Sequence, residues 1–140
     1  MKEKYFWDDK LSVNVKEIDE QHKNFLKICN ELFEFSGADE IDQEEFFKKT
    51  SELGDYALYH LSTEEELFEK TEYPEAANHK NIHDIFRTKI KEYINQVRDE
   101  SLDKKELAAT IADFSGNWLV NHIAGMDKQY TEHFNKNGVE

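Results

Sequence analysis

The sequence predicts an all-α protein, an up-down-up-down antiparallel four-helix bundle with a non-helical N-terminal arm. Apolar residues recur three and four positions apart, which is the period of a helix that buries one face. One proline and five glycines in 140 residues leave long stretches free to be helical. Short connections between the predicted helices force neighbouring helices to run antiparallel. At this length we expect one domain over 1–140, with the arm at 1–17 and the bundle at 18–134.

The first helix is predicted from Ile18 to Ser36, and Gly37 suits the position just beyond its end. Its buried face is a single stripe of residues: Ile18, His22, Phe25, Cys29 and Leu32. The arm before this helix lacks helical periodicity, and we expect Trp7 to anchor the arm on the bundle.

A capping pattern predicts where the second helix begins. Asp42 followed by Glu45 looks like a capping box, which starts the helix near Gln43. The stripe of this helix is Phe46, Thr50, Leu53, Ala57, His60, Glu64 and Leu67. Tyr73 and Pro74 then break the chain, because a residue before proline avoids the helical conformation.

Two further helices complete the predicted bundle. Pro74 fits the first turn of the third helix, whose stripe is Ala76, His79, His83, Phe86, Ile90, Tyr93 and Val97. A second capping box, formed by Asp103 and Glu106, starts the fourth helix. One face of that helix carries Leu107, Ile111, Phe114, Trp118 and His122.

Five histidines and two carboxylates lie on these inward faces, with no lysine or arginine on the stripes to pair with them. They are His22, His60, Glu64, His79, His83, His122 and Asp127. One end of an antiparallel bundle gathers the starts of the first and third helices and the ends of the second and fourth. All seven residues lie near that end. Because buried charge is unfavourable unless it is paired or bound to metal, the set predicts a metal site.

The number and type of these side chains indicate two metal ions. Imidazole together with carboxylate suits iron, zinc or manganese rather than calcium. Two carboxylates can bridge two ions, which leaves three histidines on one ion and two histidines with an open position on the other. Di-iron bundles of the ferritin type use four carboxylates and two histidines. The imidazole-rich set here favours reversible binding of O₂, with electron transfer to it, over cleavage of O₂.

One irregularity is expected in the fourth helix. At about 100° per residue, a straight helix turns Asp127 about 140° away from His122. A one-residue π-bulge between them would turn Asp127, Tyr130 and Phe134 back toward the core, and Gly125 would ease it. The alternative is a tilted helix, or a longer side-chain reach, without a bulge.

Charge and apolar patterning exclude several classes of partner. A net charge of −13 argues against a nucleic-acid or anionic-membrane partner, because phosphate binding needs a basic face. The sequence has no apolar run long enough to span a membrane and no apolar signal core at its N-terminus. Cys29 stands alone and is interpreted as a small buried hydrophobic residue. We therefore expect a cytoplasmic protein, and the sequence does not identify a protein partner.

Four motifs resemble those of the hemerythrin family: Ile18-Asp-Glu-Gln-His22, His60-Leu-Ser-Thr-Glu64-Glu65, His79-Lys-Asn-Ile-His83 and His122-Ile-Ala-Gly-Met-Asp127. The resemblance covers nearly the whole chain and implies a centre of two iron ions, with an oxo or hydroxo bridge and O₂ as ligand. The ligands that it implies are His79, His83 and His122 for one iron, His22 and His60 for the other, and Glu64 and Asp127 as bridges. Leu61 departs from the family, which often has Phe beside the second-helix ligand.

Six apolar residues lie one, three or four positions from these ligands and are expected to line the O₂ pocket: Phe25, Leu61, Phe86, Trp118, Leu119 and Ile123. The predicted function is reversible O₂ binding for transport, storage or sensing, by a protein that is not an enzyme. A di-iron redox enzyme or sensor that handles peroxide or nitric oxide is the alternative. Glu65 and Glu66 fall off the Glu64 face and are expected to be solvated, and His133 is expected at the surface.

Overall fold

The computed structural model describes residues 4–140, and over them the predicted all-α four-helix bundle is confirmed. The main helices are α1 (Lys16–Phe35), α2 (Gln43–Thr71), α3 (Ala76–Val97) and α4 (Lys104–Gly125), followed by a short α5 (Thr131–Lys136). Tight 3₁₀ turns span Asp9–Leu11 in the arm and Asp127–Tyr130 between α4 and α5. α1 packs against α2 and α4, and α3 packs against the same two helices. None of the helices in the described part of the chain has the length and apolar character needed to span a bilayer.

Side-chain capping fixes the starts of α2 and α4. Asp42 accepts a hydrogen bond from the Glu45 N–H at 3.0 Å, and Asp103 accepts from the N–H groups of Lys105 and Glu106. These bonds satisfy amide groups that have no partner within the first turn of a helix. Both predicted starting points are confirmed, whereas α1 begins two residues earlier than predicted, at 16.

The stripes on the four helices form one hydrophobic core. All five predicted stripe residues of α1 are fully buried. On α2 the prediction is off by one residue near the end, because Phe68 is buried and Leu67 only half-buried. On α4 the core-facing strip includes the small residues Ala108, Ala112, Ser115 and Gly116, while Phe114 and Trp118 flank it half-buried. Small residues there let α1 and the arm approach closely.

The fourth helix is interrupted between His122 and Asp127, but the predicted π-bulge is wrong. α4 ends at Gly125, Met126 leaves the helical region at φ −124° and ψ −53°, and the 3₁₀ turn follows. The Met126 N–H still donates to the His122 carbonyl at 2.8 Å. The chain therefore stops and restarts with tighter winding, and this turns Asp127 and Tyr130 inward without an inserted residue. The unusual backbone angle lies at Met126, so Gly125 is not the residue that eases the irregularity.

The arm is held mainly by Tyr5, and the prediction that Trp7 anchors it is only partly right. Tyr5 is 6% exposed, its ring lies over Gly116 of α4, and its hydroxyl donates to Asp113. Trp7 is half-buried, with the Lys23 ammonium 5.3 Å from its ring centre. Tyr5 is the better anchor because a glycine lies beneath it, where any side chain would prevent the ring from lying flat.

Candidate metal centre

The seven predicted ligand residues lie together at one end of the bundle, and all are buried. The exposed fraction is 5% for His122, 1% for His79 and zero for the other five residues, which are His22, His60, Glu64, His83 and Asp127. They come from α1, α2, α3, α4 and the 3₁₀ turn after α4. Each main helix brings at least one histidine to this end, as the antiparallel order of the helices requires.

The donor atoms fall into two overlapping groups. One group contains His79, His83, His122, Glu64 and Asp127, and the other contains His22, His60, Glu64 and Asp127. Within each group, one donor atom from every residue lies within 4.8 Å of the rest. Two ions placed side by side would therefore share both carboxylates.

The three-histidine group has the spacing of a metal coordination sphere. The Nε2 atom of His122 lies 2.9 Å from Nε2 of His79 and 3.2 Å from Nε2 of His83. Oδ1 of Asp127 lies 2.9 Å from His79 and 3.1 Å from His122. Ligand atoms bound at right angles with bonds of about 2.1 Å lie about 3.0 Å apart. The four donors are therefore positioned to converge on one ion.

The two carboxylates connect this group to the two-histidine group. Oδ2 of Asp127 lies 3.1 Å from Nε2 of His22, so the two oxygens of this residue face different groups. Oε1 of Glu64 lies between the groups, 3.2 Å from His83 and 3.6 Å from His60. Both carboxylates are thus placed to bridge.

Several of these buried atoms have no hydrogen-bond partner. They are Nε2 of His22 and His60, Oε1 of Glu64 and both carboxylate oxygens of Asp127. An unsatisfied buried polar atom costs about 1–3 kcal/mol, so a cluster of this kind is strongly unfavourable by itself. Cations bound between these atoms would satisfy all of them. The donor set therefore fits two cations that are borderline in their preference for nitrogen and oxygen.

The electrostatics of the cluster favour the metal-binding forms of His60 and of the two carboxylates. Burial lowers the pKa of His60 to about 4, although the charge of Glu64 opposes this. Burial also opposes a charge on His83, yet the nearby carboxylates of Glu64 and Glu65 raise its pKa to about 9. Burial opposes the ionisation of Asp127, but the surrounding imidazoles hold its pKa well below the ordinary value. The carboxylates are therefore ionised and His60 is neutral at neutral pH, and His83 has a proton to release when metal binds.

Three residues that the sequence did not single out as functional form hydrogen bonds with the predicted ligands. Gln21 accepts a hydrogen bond from Nδ1 of His60 at 2.8 Å, and the Tyr130 hydroxyl donates to Oε2 of Glu64 at 2.5 Å. Glu65 accepts from Nδ1 of His83 at 2.7 Å.

The expectation that Glu65 is simply solvated is wrong. Its side chain is 19% exposed and lies between His83 and the Arg87 guanidinium on α3. The reason is side-chain length, because a glutamate beside the core face of one helix reaches across to the next helix. Arg87, one turn beyond His83, is the sequence signal that could have indicated this. Glu66 is exposed, as expected.

His133 is half-buried, so its prediction as a surface residue is only partly right. Its Nε2–H donates to the Thr71 carbonyl at 2.7 Å, and its ring lies against Tyr73 at 5.3 Å. This contact satisfies a carbonyl at the end of α2, where the backbone turns left-handed at Glu72.

The six predicted pocket residues form part of the core around the cluster. Phe25, Leu61, Phe86, Leu119 and Ile123 are fully buried, and Trp118 is half-buried. Trp118 stacks on His122 with ring centres 4.4 Å apart and also contacts Phe86 at 4.4 Å. Phe25 meets His60 edge-on at 6.3 Å. Aromatic rings therefore cover both donor groups.

Comparison with known proteins agrees with this geometry. The family model described as Hemerythrin HHE cation binding domain matches residues 13–133. The chain is 29% identical over 126 residues to a bacteriohemerythrin of Stenotrophomonas maltophilia, covering 90% of this chain and 78% of the relative. It is 32% identical over 125 residues to a hemerythrin-like protein of Naegleria gruberi, covering 89% of this chain and 88% of the relative.

Solved structures give the same result. A crystal structure of wild-type hemerythrin superimposes with a TM-score of 0.82 at 26% identity, covering 91% of this chain and 95% of that one. A point mutant of hemerythrin superimposes with a TM-score of 0.84 at 25% identity, covering 94% of this chain and 97% of that one. By family model, by relatives and by fold, the chain belongs to the hemerythrin family.

Proposed function

We propose that this protein binds O₂ reversibly at a centre of two iron ions, as an oxygen carrier, store or sensor input. The observation that carries the proposal is the pair of overlapping donor groups that share Glu64 and Asp127. A structural cluster of hydrogen-bonded histidines would not need two carboxylates with unsatisfied oxygens placed between them. Membership of the hemerythrin family and the donor chemistry both support iron as the metal.

In this proposal each residue of the cluster has one role. His79, His83 and His122 would hold one ion, His22 and His60 would hold the other, and Glu64 and Asp127 would be shared between them. The first group supplies five donors and the second only four. An ion held by the four-residue group would therefore be the one with room for a small exogenous ligand. Two ferrous ions at this position would supply the electrons for O₂ binding.

The residues around the centre exclude water and hold protons in place. The fully buried side chains of Phe25, Leu61, Leu119 and Ile123 provide a dry environment that excludes water and slows proton access. Tyr130 is also fully buried, and burial together with the charges of Glu64 and Asp127 raises its pKa well above the ordinary value. The phenol therefore keeps its proton at neutral pH and remains a hydrogen-bond donor to Glu64.

The composition of the donor set favours binding over oxidation chemistry. Five neutral imidazoles and two carboxylates stabilise high-valent iron less than the four carboxylates of ferritin-type centres. The phenol of Tyr130, which lies at the centre, is held in its protonated form. These properties suit a centre that returns O₂ unchanged, and they disfavour the alternative, a redox enzyme or sensor for peroxide or nitric oxide.

Two measurements test the proposal. Protein produced with iron should contain two irons per chain by metal analysis. After anaerobic reduction, exposure to air should produce a charge-transfer colour that disappears when O₂ is removed. One metal per chain, or zinc alone, would contradict the di-iron centre. Fast and irreversible return to the diferric state would support the redox or sensor alternative instead.

A further inference from the structure

Two of the five clustered histidines have a side-chain hydrogen-bond partner on the nitrogen that faces away from the centre. Nδ1 of His60 contacts Gln21 at 2.8 Å, and Nδ1 of His83 contacts Glu65 at 2.7 Å. One of these histidines belongs to each donor group. The two partners have nearly the same geometry but a different charge, since one is an amide and the other a carboxylate.

Gln21 is held with its oxygen toward His60. The Gln21 Nε2 group donates to the Thr63 hydroxyl at 3.3 Å, and that hydroxyl donates to the Tyr59 carbonyl at 2.9 Å. Gln21 is 5% exposed, so its amide has little freedom to exchange these partners for water. His60 therefore donates from Nδ1 to a neutral acceptor and directs the Nε2 lone pair at the centre.

Glu65 is held more firmly and carries a charge. Its Oε2 lies 2.8 Å from Nη1 of Arg87, and its Oε1 accepts from Nη2 at 3.0 Å. Arg87 is itself held by Asp84 at 2.9 Å. This two-point contact fixes the carboxylate against Nδ1 of His83.

The two partners affect the histidines differently. A carboxylate that accepts a proton from an imidazole N–H makes the opposite nitrogen more basic than a neutral amide does. A more basic ligand stabilises ferric iron more than ferrous iron. Resting on the di-iron function proposed above, we propose that Glu65 is a positioning residue that makes the three-histidine iron the first to be oxidised. Gln21 accepts the corresponding hydrogen bond from Nδ1 of His60, so the two-histidine iron is the second to be oxidised.

This order has a consequence for ligand binding. The two-histidine ion has one protein donor fewer, so it is the one open to an exogenous ligand. An outer hydrogen bond that favours ferrous iron here makes the electron of this ion the second of the two to be removed. The difference between an amide and a carboxylate would thus add to the difference in donor number between the two ions.

The test exchanges the two partners. The variants are Glu65→Gln, Gln21→Glu and the double exchange, which leaves the net charge of −13 unchanged. Anaerobic diferrous protein is titrated with ferricyanide, each equivalent of which takes one electron from one ferrous ion and becomes ferrocyanide. Two midpoint potentials are recorded. Azide is then added to the half-oxidised protein, because this anion binds ferric iron at the open position and produces a charge-transfer absorption.

The expected results are directional. Half-oxidised wild-type protein should show little azide absorption, and the double variant should show strong absorption, because the order of oxidation is reversed. Glu65→Gln should raise the first midpoint potential by about 59 mV, which is a tenfold change in the preference for ferric over ferrous iron. A double variant with the wild-type order of oxidation would overturn the proposal.

Controls separate this proposal from the proposed function and from a general charge effect. Glu66→Gln removes the same charge from the exposed neighbour and should leave both potentials unchanged. An equal shift in Glu66→Gln and Glu65→Gln would exclude the hydrogen bond as the cause. If Glu65→Gln does not fold, Gln21→Glu alone must lower the second midpoint potential, and no change there would also overturn the proposal. Wild-type protein without two irons would instead contradict the proposed function.

Discussion

Replacement of Gly116 by alanine tests how the arm is held on the bundle. A Cβ atom at this position would lie 2.6 Å from Cδ1 and Cε1 of Tyr5 and 2.9 Å from its Cγ. Real Cβ atoms do not approach a ring so closely, so either the ring or α4 must move. The ring should move more easily than α4, because the helix is fixed by its backbone hydrogen bonds. We therefore expect Gly116→Ala to displace Tyr5 and to leave the helix in place.

The size of the effect follows from what Tyr5 loses and what the helix gains. Full burial of a large apolar side chain stabilises by about 1.5–3 kcal/mol, and a hydrogen bond to a charged group by about 1.5–3 kcal/mol. The displaced ring loses part of both, including its bond to Asp113. The helix gains up to about 1 kcal/mol from alanine in place of glycine. The net loss in the free energy of unfolding should be about 2 kcal/mol, within the usual range for overpacking.

Urea unfolding followed by circular dichroism measures this loss. Gly125→Ala is the matched control, since nothing lies within 4 Å of its added Cβ, and it should change stability by less than about 0.5 kcal/mol. In a Tyr5→Ala background, Gly116→Ala should no longer destabilise the protein, because the two residues act through one contact. An equal loss with and without Tyr5 would refute this reasoning and place the strain inside the bundle.

Three further predictions concern the centre itself. Glu64→Ala and His79→Ala should each retain fewer than two irons per chain and melt at a lower temperature. Two irons and an unchanged melting temperature in both variants would refute the assignment of these residues as ligands. Leu119→Ala should speed autoxidation without changing the iron content. The control is Leu58→Ala, at a residue that is 40% exposed, and it should change neither quantity. Equal autoxidation rates in the two variants would show that Leu119 has no protective role. Tyr130→Phe should destabilise the iron-free protein by about 1.5–3 kcal/mol in urea unfolding, because the buried Glu64 loses its donor; unchanged stability would show that the bond contributes nothing.

The fold and the cluster could be predicted from sequence because both depend on periodicity. A helix that buries one face repeats its apolar residues, and a polar residue such as His22 or Glu64 on that face needs a specific reason to be there. The antiparallel order of helices then places all such residues at one end. Local patterns and one topological rule were therefore enough, without knowledge of any contact between helices.

The features that were missed depend on contacts between distant residues. Glu65 lies off the core face of its own helix and gains its role only because His83 and Arg87 of α3 lie opposite. The place of the break in α4 was predicted from helix geometry, but its form was not. Whether a chain inserts a residue or stops and restarts depends on how the following residues pack, and periodicity does not contain that information.

The break at Met126 also determines which part of the molecule sets the position of Asp127. Beyond the break, Tyr130 packs against Phe68 at 5.7 Å, and Phe134 packs against the same ring, also at 5.7 Å. The residues that follow Asp127 are thus packed against α2, while His122, only five positions earlier, belongs to α4. Two ligand residues that are close in sequence are therefore held in place by different parts of the bundle. We expect a substitution that displaces Phe68 to shift Asp127 more than His122.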